Sequence, residues 1–491
     1  MTGPLELLAS LALTMAPIAQ SDAPEVRGAV ILTRQDFAEL VQDVDEMVAQ
    51  GSLLRASDGL SALARTNVAF DALSADFLGA RLGDAFEKLA TLRMQLAGAD
   101  ALGVDPVRID VQAGDRWVRS LRVSGATLSS DGVRVRFRSV LPWAEHAGSS
   151  VTSRLWLSPP GAVMEVPAPV RFDARGYAVS SELEVEPAAF MMLETREPAL
   201  ELGGRRLAHG GLRIVPIKTS ATAELRERWG TVRAHVEDEG ALRAFESRLS
   251  LDWEAPSPER SREFLLDPER YEAELRADLA MLERGEDPYR SRQGDHWRTF
   301  AHGRRDLAAR FYLPESGPEE SISLVVAFHG AGGDENFFFE LAGDGHLKRL
   351  ADRHGCLLVA PFTPDFLWSA KAFDALLAGI SADYPIDPER VFVLGHSLGA
   401  GATARLGSER PDAIAGACCI AGIGRLGAKI PPTLVVQGER DRIVPARAVE
   451  LAVEAADGSD VEYVELEDQG HTLLLPAALD LAFARWFDGP R

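Results

Sequence analysis

Val391, Phe392, Val393 and Leu394 run without a polar interruption into Gly395-His396-Ser397-Leu398-Gly399, and Ala400, Gly401 and Ala402 follow. An uninterrupted apolar tetrad of this kind reads as a strand buried on both faces. The small residues after it open a helix, and Gly-x-Ser-x-Gly between strand and helix is the sharp turn that lifts a serine hydroxyl clear of the backbone. Glycine and serine are common, so the pentapeptide alone constrains little. Between a buried strand and a helix it constrains a great deal, because such a turn needs a parallel sheet to stand on.

That sheet is legible around it. Short apolar runs at 322–328, 356–360, 391–394, 417–421, 433–436 and 461–466 alternate with helical stretches. Their pattern predicts an α/β domain with a mostly parallel sheet covered on both faces. Cys356, Cys418 and Cys419 fall in or beside these runs and read as core, since three cysteines, two of them adjacent, make no disulfide framework.

Residues 291–491 resemble the α/β-hydrolases, and among them the compact serine esterases related to feruloyl and acetylxylan esterases and polyhydroxyalkanoate depolymerases. The resemblance rests on the elbow, on His329-Gly330-Ala331-Gly332-Gly333 after the run at 322–328, on Tyr384-Pro385-Ile386-Asp387-Pro388-Glu389-Arg390-Val391 before the elbow, and on two motifs after it. It covers this C-terminal stretch alone. Residues 1–290 carry no such likeness.

A serine hydroxyl becomes a nucleophile when an imidazole takes its proton, and the imidazole is oriented by a carboxylate. In the order Ser, Asp, His that the family uses, Asp441 in Gln437-Gly438-Glu439-Arg440-Asp441-Arg442-Ile443-Val444-Pro445 stands at the acid's position, with Glu439 as a local alternative. His471, in Glu467-Asp468-Gln469-Gly470-His471-Thr472 before a closing helix at 477–487, stands at the position of the base. His396 reads as packing beneath the elbow. The N–H groups of Leu398 and Ala331 are expected to form the oxyanion hole, with Gly332 as the alternative to Ala331. His329 and Gly330 would shape that loop, and Asp334 and Glu335 would cap the helix after it.

Phe337, Phe338, Phe339 and Trp368 are either core or the wall of an acyl or aryl pocket, and Phe337 and Trp368 are carried forward as substrate-binding candidates. The interval between 421 and 433 is too short for the cap that many relatives insert there, so an open site is expected, suited to an ester on a large or polymeric substrate. The resemblance thus implies a carboxylic ester hydrolase working through an acyl-enzyme, without metal or organic cofactor. A thioesterase, a lysophospholipase-type esterase and a prolyl oligopeptidase-like peptidase would use the same triad, although residues 1–290 show no propeller-like repeat. A non-enzymatic adhesion or binding module on an inactive hydrolase scaffold is the alternative from another class.

At 491 residues the chain exceeds one ordinary core, and its patterning divides it further. Residues 33–100 carry apolar residues at helical spacing, including Phe37, Val41, Val44, Phe70, Leu73, Phe77 and Leu89. Over 104–216 the period changes to two, as in Val133, Val135 and Phe137, which predicts a β-sandwich-like domain. Helical spacing returns over 217–290 as a connector. The net charge of −22 argues against a nucleic-acid partner, and no stretch is apolar and long enough for a transmembrane helix. Residues 7–19 resemble the h-region of a signal peptide spanning 1–22, which predicts a secreted or periplasmic protein. Glu6, and the absence of any Lys or Arg before Arg27, keep a cytoplasmic location as the alternative.

Overall fold

The structure, a computed structural model, describes residues 34–57, 59–79, 82–97, 147–149, 174, 219–253, 268–303, 305–315, 321–456 and 460–488, together with short strands between 25 and 217. The signal segment expected over 1–22 lies outside the described residues.

Three helices come first: α1 (Arg34–Ala49), α2 (Ala62–Leu78) and α3 (Leu82–Ala97). Ser61 caps α2 by accepting the N–H of Ala64 at 3.0 Å, and the hydroxyl of Thr66 accepts the N–H of Leu54, pinning the preceding loop. Helical spacing gathers Val44, Phe70, Leu73, Leu89 and Leu92 into one apolar cluster, and Leu473 from the far end of the chain completes it. Arg93 bridges α3 to Asp43 of α1 at 2.8 Å.

Between 107 and 217 the described residues are strands, apart from 147–149 and 174. Nine of them hydrogen-bond as one sheet, with 205–208 at one edge and 116–118 at the other, and a separate parallel pair joins 120–124 to 213–217. All pairings within that nine-stranded ladder are antiparallel, as the period of two over 104–216 implies. Helices α4 (Thr219–Val232), α5 (Glu239–Trp253) and α6 (Pro268–Glu283) then bury Leu225, Trp229, Phe245, Leu275 and Leu279 against one another.

The C-terminal sheet has eight strands: β1 (Gly294–His302), β2 (Arg305–Leu313), β3 (Ile322–Phe328), β4 (Cys356–Pro361), β5 (Ile386–His396), β6 (Gly416–Ile420), β7 (Thr433–Gly438) and β8 (Val461–Leu466). They lie in the order β1-β2-β4-β3-β5-β6-β7-β8. Only β2 is antiparallel to its neighbours, and β4 through β8 pair in parallel. The connector helices are not a free linker, because α5 packs on β1. There Arg298 donates to Asp383 and to the carbonyl of Gly240, and Thr299 donates to the carbonyl of Arg243. That cover also protects the edge strand of the sheet.

The period of two in the strands divides the core between the faces. Leu324, Val326, Phe328, Val391 and Val393 point to the side of α8 (Ala370–Asp383) and α9 (Leu398–Glu409). Val325, Ala327, Phe392 and Leu394 point to the opposite side, where α7 (His346–His354) and α10 (Leu475–Phe483) pack. Every residue of β3 is buried, and each such Leu or Val contributes about 1.5–3 kcal/mol relative to exposure. The cysteines lie free and buried in this core. Among the described residues no helix is long and apolar enough to cross a membrane.

Strand order reverses at β3. Its neighbours are β4 on one side and β5 on the other, so the chain leaves the carboxyl end of β3 toward β4 and that of β5 toward β6, in opposite directions. A crevice opens where connections diverge in this way, and ligands bind there in open α/β sheets.

Candidate active site

Residues 294–488 have the α/β-hydrolase fold, in which the strand order just described places the turn after β5 and the loop after β3 on either side of that crevice. Ser397 occupies the turn. It joins β5 to α9 with φ 55° and ψ −112°, a conformation costly for a residue with a side chain. The cost is met by the sheet: the N–H of Ser397 donates to the carbonyl of Ile420 at 2.8 Å, and its carbonyl accepts from Ala400. Glycine on both flanks is a steric requirement. A Cβ on Gly395 would stand 2.1 Å from the carbonyl oxygen of Gly399, and one on Gly399 would stand 1.9 Å from that of Phe328.

Asp441 and His471 meet across two loops. Nδ1 of His471 donates to Oδ2 of Asp441 at 2.8 Å, with both side chains buried. The carboxylate is saturated with donors: Oδ1 accepts the N–H groups of Ile443 and Val444, and Oδ2 also accepts Nε2 of Gln437, each at 2.8 Å. With its Nδ1 proton committed to a carboxylate, the neutral imidazole carries a free lone pair on Nε2. Glu439, the alternative acid, is exposed and accepts the N–H of Asp468 instead.

His396 lies under the elbow. Its Nε2 donates to the carbonyl of His471 at 2.8 Å, and its ring stacks on Phe337 at 5.4 Å. Burial pushes its pKa down to about 3, so it stays neutral and braces the backbone of His471. His329 is likewise buried with a lowered pKa. It donates from Nδ1 to the carbonyl of Gly330 and accepts at Nε2 from the N–H of Thr363, which fixes the loop after β3 to β4's exit. Asp334 accepts the N–H of Asn336 and so shapes the next turn.

Ser397 and His471 share the wall of one cavity of about 160 Å³ with Ala331, Gly332, Phe337 and Leu341. The rest of that wall comes from Val41, Phe70, Leu73, Phe77 and Leu78 of α1 and α2. The site is therefore partly covered, where the short interval after residue 421 had suggested an open one. Its roof arrives from the other end of the chain, and the ring of Phe77 lies so close over Gly332 that a Cβ there would stand 2.3 Å from it.

The roof is bonded as well as packed. Asp45 of α1 accepts the N–H groups of Gly343 and Asp344 at 2.6 and 3.2 Å, and Asn67 of α2 donates to the side chain of Gln469 at 3.2 Å. Asp71 of α2 accepts the N–H of His471 at 2.9 Å and that of Arg442 at 3.1 Å. Burial raises the Asp45 carboxyl to about 7 and the Asp71 carboxyl to about 6 against the lowering effect of these bonds.

Of the residues singled out from sequence, Ser397, His471, Ala331 and Phe337 line the cavity, Asp441 holds His471 from behind, and Leu398 opens α9 directly after Ser397. Trp368 does not join them. It is 71% exposed and stands apart from the cavity wall, while Phe338 and Phe339 are fully buried core. Sequence reasoning read Phe70, Leu73 and Phe77 only as one face of a helix and did not single out Asp71.

No protein-family model and no curated protein matches the sequence. Among solved structures, the chain is similar to the fluorophosphonate-binding serine hydrolase FphF of Staphylococcus aureus, at 13% identity over 40% of this chain and 100% of that one, TM-score 0.33. It is also similar to the thermostable carboxylesterase EstE1 from a metagenomic library, at 18% identity over 40% of this chain and 89% of that one, TM-score 0.34. Esterase PE8 is 24% identical over 36% of this chain and 97% of that one, TM-score 0.31.

Proposed function

We propose that this protein is a serine hydrolase that cleaves carboxylic esters bearing a compact apolar acyl group. The observation that carries the reading is the 2.8 Å contact of His471 Nδ1 with Asp441 Oδ2: the carboxylate accepts the Nδ1–H, which leaves Nε2 as an acceptor on the same cavity wall as the Ser397 hydroxyl.

In the reaction, Ser397 Oγ attacks the ester carbonyl while Nε2 of His471 takes its proton. Asp441 stabilises the imidazolium that forms and keeps its ring in place. The tetrahedral oxyanion is held by the N–H groups of Leu398 and Ala331. Leu398 is the first residue of α9, where backbone donors have no partner within the helix. The C–O bond to the leaving alcohol then breaks as the imidazolium returns its proton to that oxygen. Water repeats the sequence on the acyl-enzyme and frees the acid.

The acyl group lies against Phe70, Leu73, Phe77, Phe337 and Leu341. A cavity of about 150 Å³ with such a lining accepts a benzene-sized guest, so acyl groups of roughly that bulk fit the enclosed volume. The covering helices favour an ester small enough to pass beneath them over one anchored to a polymer.

Purified protein is treated with a fluorescent fluorophosphonate, and wild type is compared with Ser397→Ala and His471→Ala. Labelling of wild type and its loss in both variants is expected, with hydrolysis of 4-nitrophenyl esters lost in parallel. A folded wild type that neither labels nor turns over short-chain esters would reject the reading.

A further inference from the structure

Asp71 lies 400 residues before His471 in the chain, on a helix outside the hydrolase fold, yet its carboxylate touches the backbone of the base. It is 1% exposed. One oxygen accepts the N–H of His471 at 2.9 Å, and the other accepts that of His471 at 3.1 Å and that of Arg442 at 3.1 Å. Arg442 directly follows Asp441, so a single side chain grips the acid loop and the base loop together.

The fit is close. A Cβ on Gly470 would stand 2.9 Å from both carboxylate oxygens, so the loop before the base is shaped to admit this group. Burial disfavours a carboxylate there, as its raised pKa records, and an apolar residue would dock α2 without that cost. An acid at this position is explained by what it holds. Other ties hold the rest of the loop at 467–472: the N–H of Arg440 donates to the carbonyl of Gln469, the N–H of Asp468 to Glu439, Asn67 to the side chain of Gln469, and His396 to the carbonyl of His471. Asp71 supplies the acceptor for the N–H of His471 itself.

We infer that Asp71 is a positioning residue of the hydrolase, a cap-borne clamp that holds the backbone of His471 and the acid loop in register, so that the base is aligned only when α2 is docked. The inference rests on the serine-hydrolase reading. Misplacing a catalytic group by about 1 Å costs on the order of 10²-fold in rate. Asp71→Ala is therefore expected to lower kcat for 4-nitrophenyl butyrate, and the rate of fluorophosphonate labelling, by that order while KM stays within about twofold.

Asp71→Asn keeps one acceptor for the His471 N–H and should recover most of the loss. As an isosteric variant it also serves if Asp71→Ala does not fold. Asn67→Ala removes a neighbouring tie from the same helix to Gln469 and should leave kcat unchanged. Loss of kcat in Asp71→Ala with rescue by Asn and no loss in Asn67→Ala supports the clamp. Wild-type kcat and labelling in Asp71→Ala, a change confined to KM, or an equal loss in Asn67→Ala would each overturn it. A wild type that fails to label would instead remove the hydrolase reading, and the clamp with it.

Discussion

Asp441→Asn is the substitution whose consequence the hydrogen bonds determine most tightly. Oδ1 is held by the N–H groups of Ile443 and Val444, so an amide at 441 must keep its carbonyl oxygen there and turn its NH₂ to the place of Oδ2. That place faces two donors, Nδ1 of His471 and Nε2 of Gln437, each at 2.8 Å. His471 can relieve the conflict by moving its proton from Nδ1 to Nε2, where Ser397 needs an acceptor. In a serine protease the corresponding change of tautomer costs about 10⁴ in kcat, or about 5.4 kcal/mol. Gln437 has no equivalent escape. Its Nε2 also donates to the carbonyl of Val444 at 2.9 Å, and turning the amide over would strand that buried oxygen at about 1–3 kcal/mol.

The expected variant is folded, melts several degrees lower, and hydrolyses 4-nitrophenyl butyrate with kcat reduced by on the order of 10⁴ at little change in KM. Steady-state kinetics with Ser397→Ala as the background, alongside a thermal melt, measures both effects. A kcat within about tenfold of wild type, in a sample free of contaminating esterase, would mean that Asp441 does not orient the base.

Two further outcomes follow from the roof. Phe77→Ala removes the ring that lies over Gly332 on the cavity wall, and should raise kcat/KM for octanoyl relative to butyryl esters by at least about tenfold, the discrimination that accommodating even one more methylene brings at about 1–3 kcal/mol. An unchanged chain-length profile would place the acyl group elsewhere. Asp45 has a folded pKa raised from 3.8 to about 7, chiefly by desolvation, so the folded state binds its proton more tightly than the unfolded one. Its contribution is full below the unfolded value and is lost as pH rises through about 7, by an amount on the order of a few kcal/mol. Denaturant titrations from pH 4 to 8 should show wild-type stability falling against Asp45→Asn over that window, and parallel curves would contradict the assignment.

The parts of this molecule legible in its sequence are those whose physics is local. Strand β5, the elbow and α9 announce themselves because the constraint lies within a dozen adjacent residues, and β3, β4, β6 and β7 do so because burial on both faces leaves mostly apolar runs, whereas β8, at the sheet edge, interleaves Glu462 and Glu465 with its apolar residues. Strands β1 and β2 were not read, for the opposite reason. They carry Arg298, Thr299 and Arg310, polar residues whose burial depends on partners elsewhere: Asp383, the carbonyl of Arg243, and Asp295 with Glu340. The two loops set apart as acid and base are the ones that the bond from His471 to Asp441 joins. The roof left no such trace. Phe70, Leu73 and Phe77 satisfy helical periodicity whether they face each other or a distant cavity, and an interval too short for a local insertion says nothing about cover from 300 residues away.

The bond between Asp71 and His471 also sets an order of events during synthesis. Loop-closure entropy rises only as the logarithm of length, about 0.6 kcal/mol per doubling, so a 400-residue separation is thermodynamically tolerable. In time it is not neutral. Chains emerge N-terminus first, at about 5–20 residues per second, so α2 leaves the ribosome well before the loop it must clamp. Phe70, Leu73 and the neighbouring apolar face wait through the making of the sheet domain, the connector helices and the hydrolase core before Leu473 closes their cluster. A nascent chain stalled between residues 397 and 471 holds the elbow serine with neither the histidine nor the completed roof.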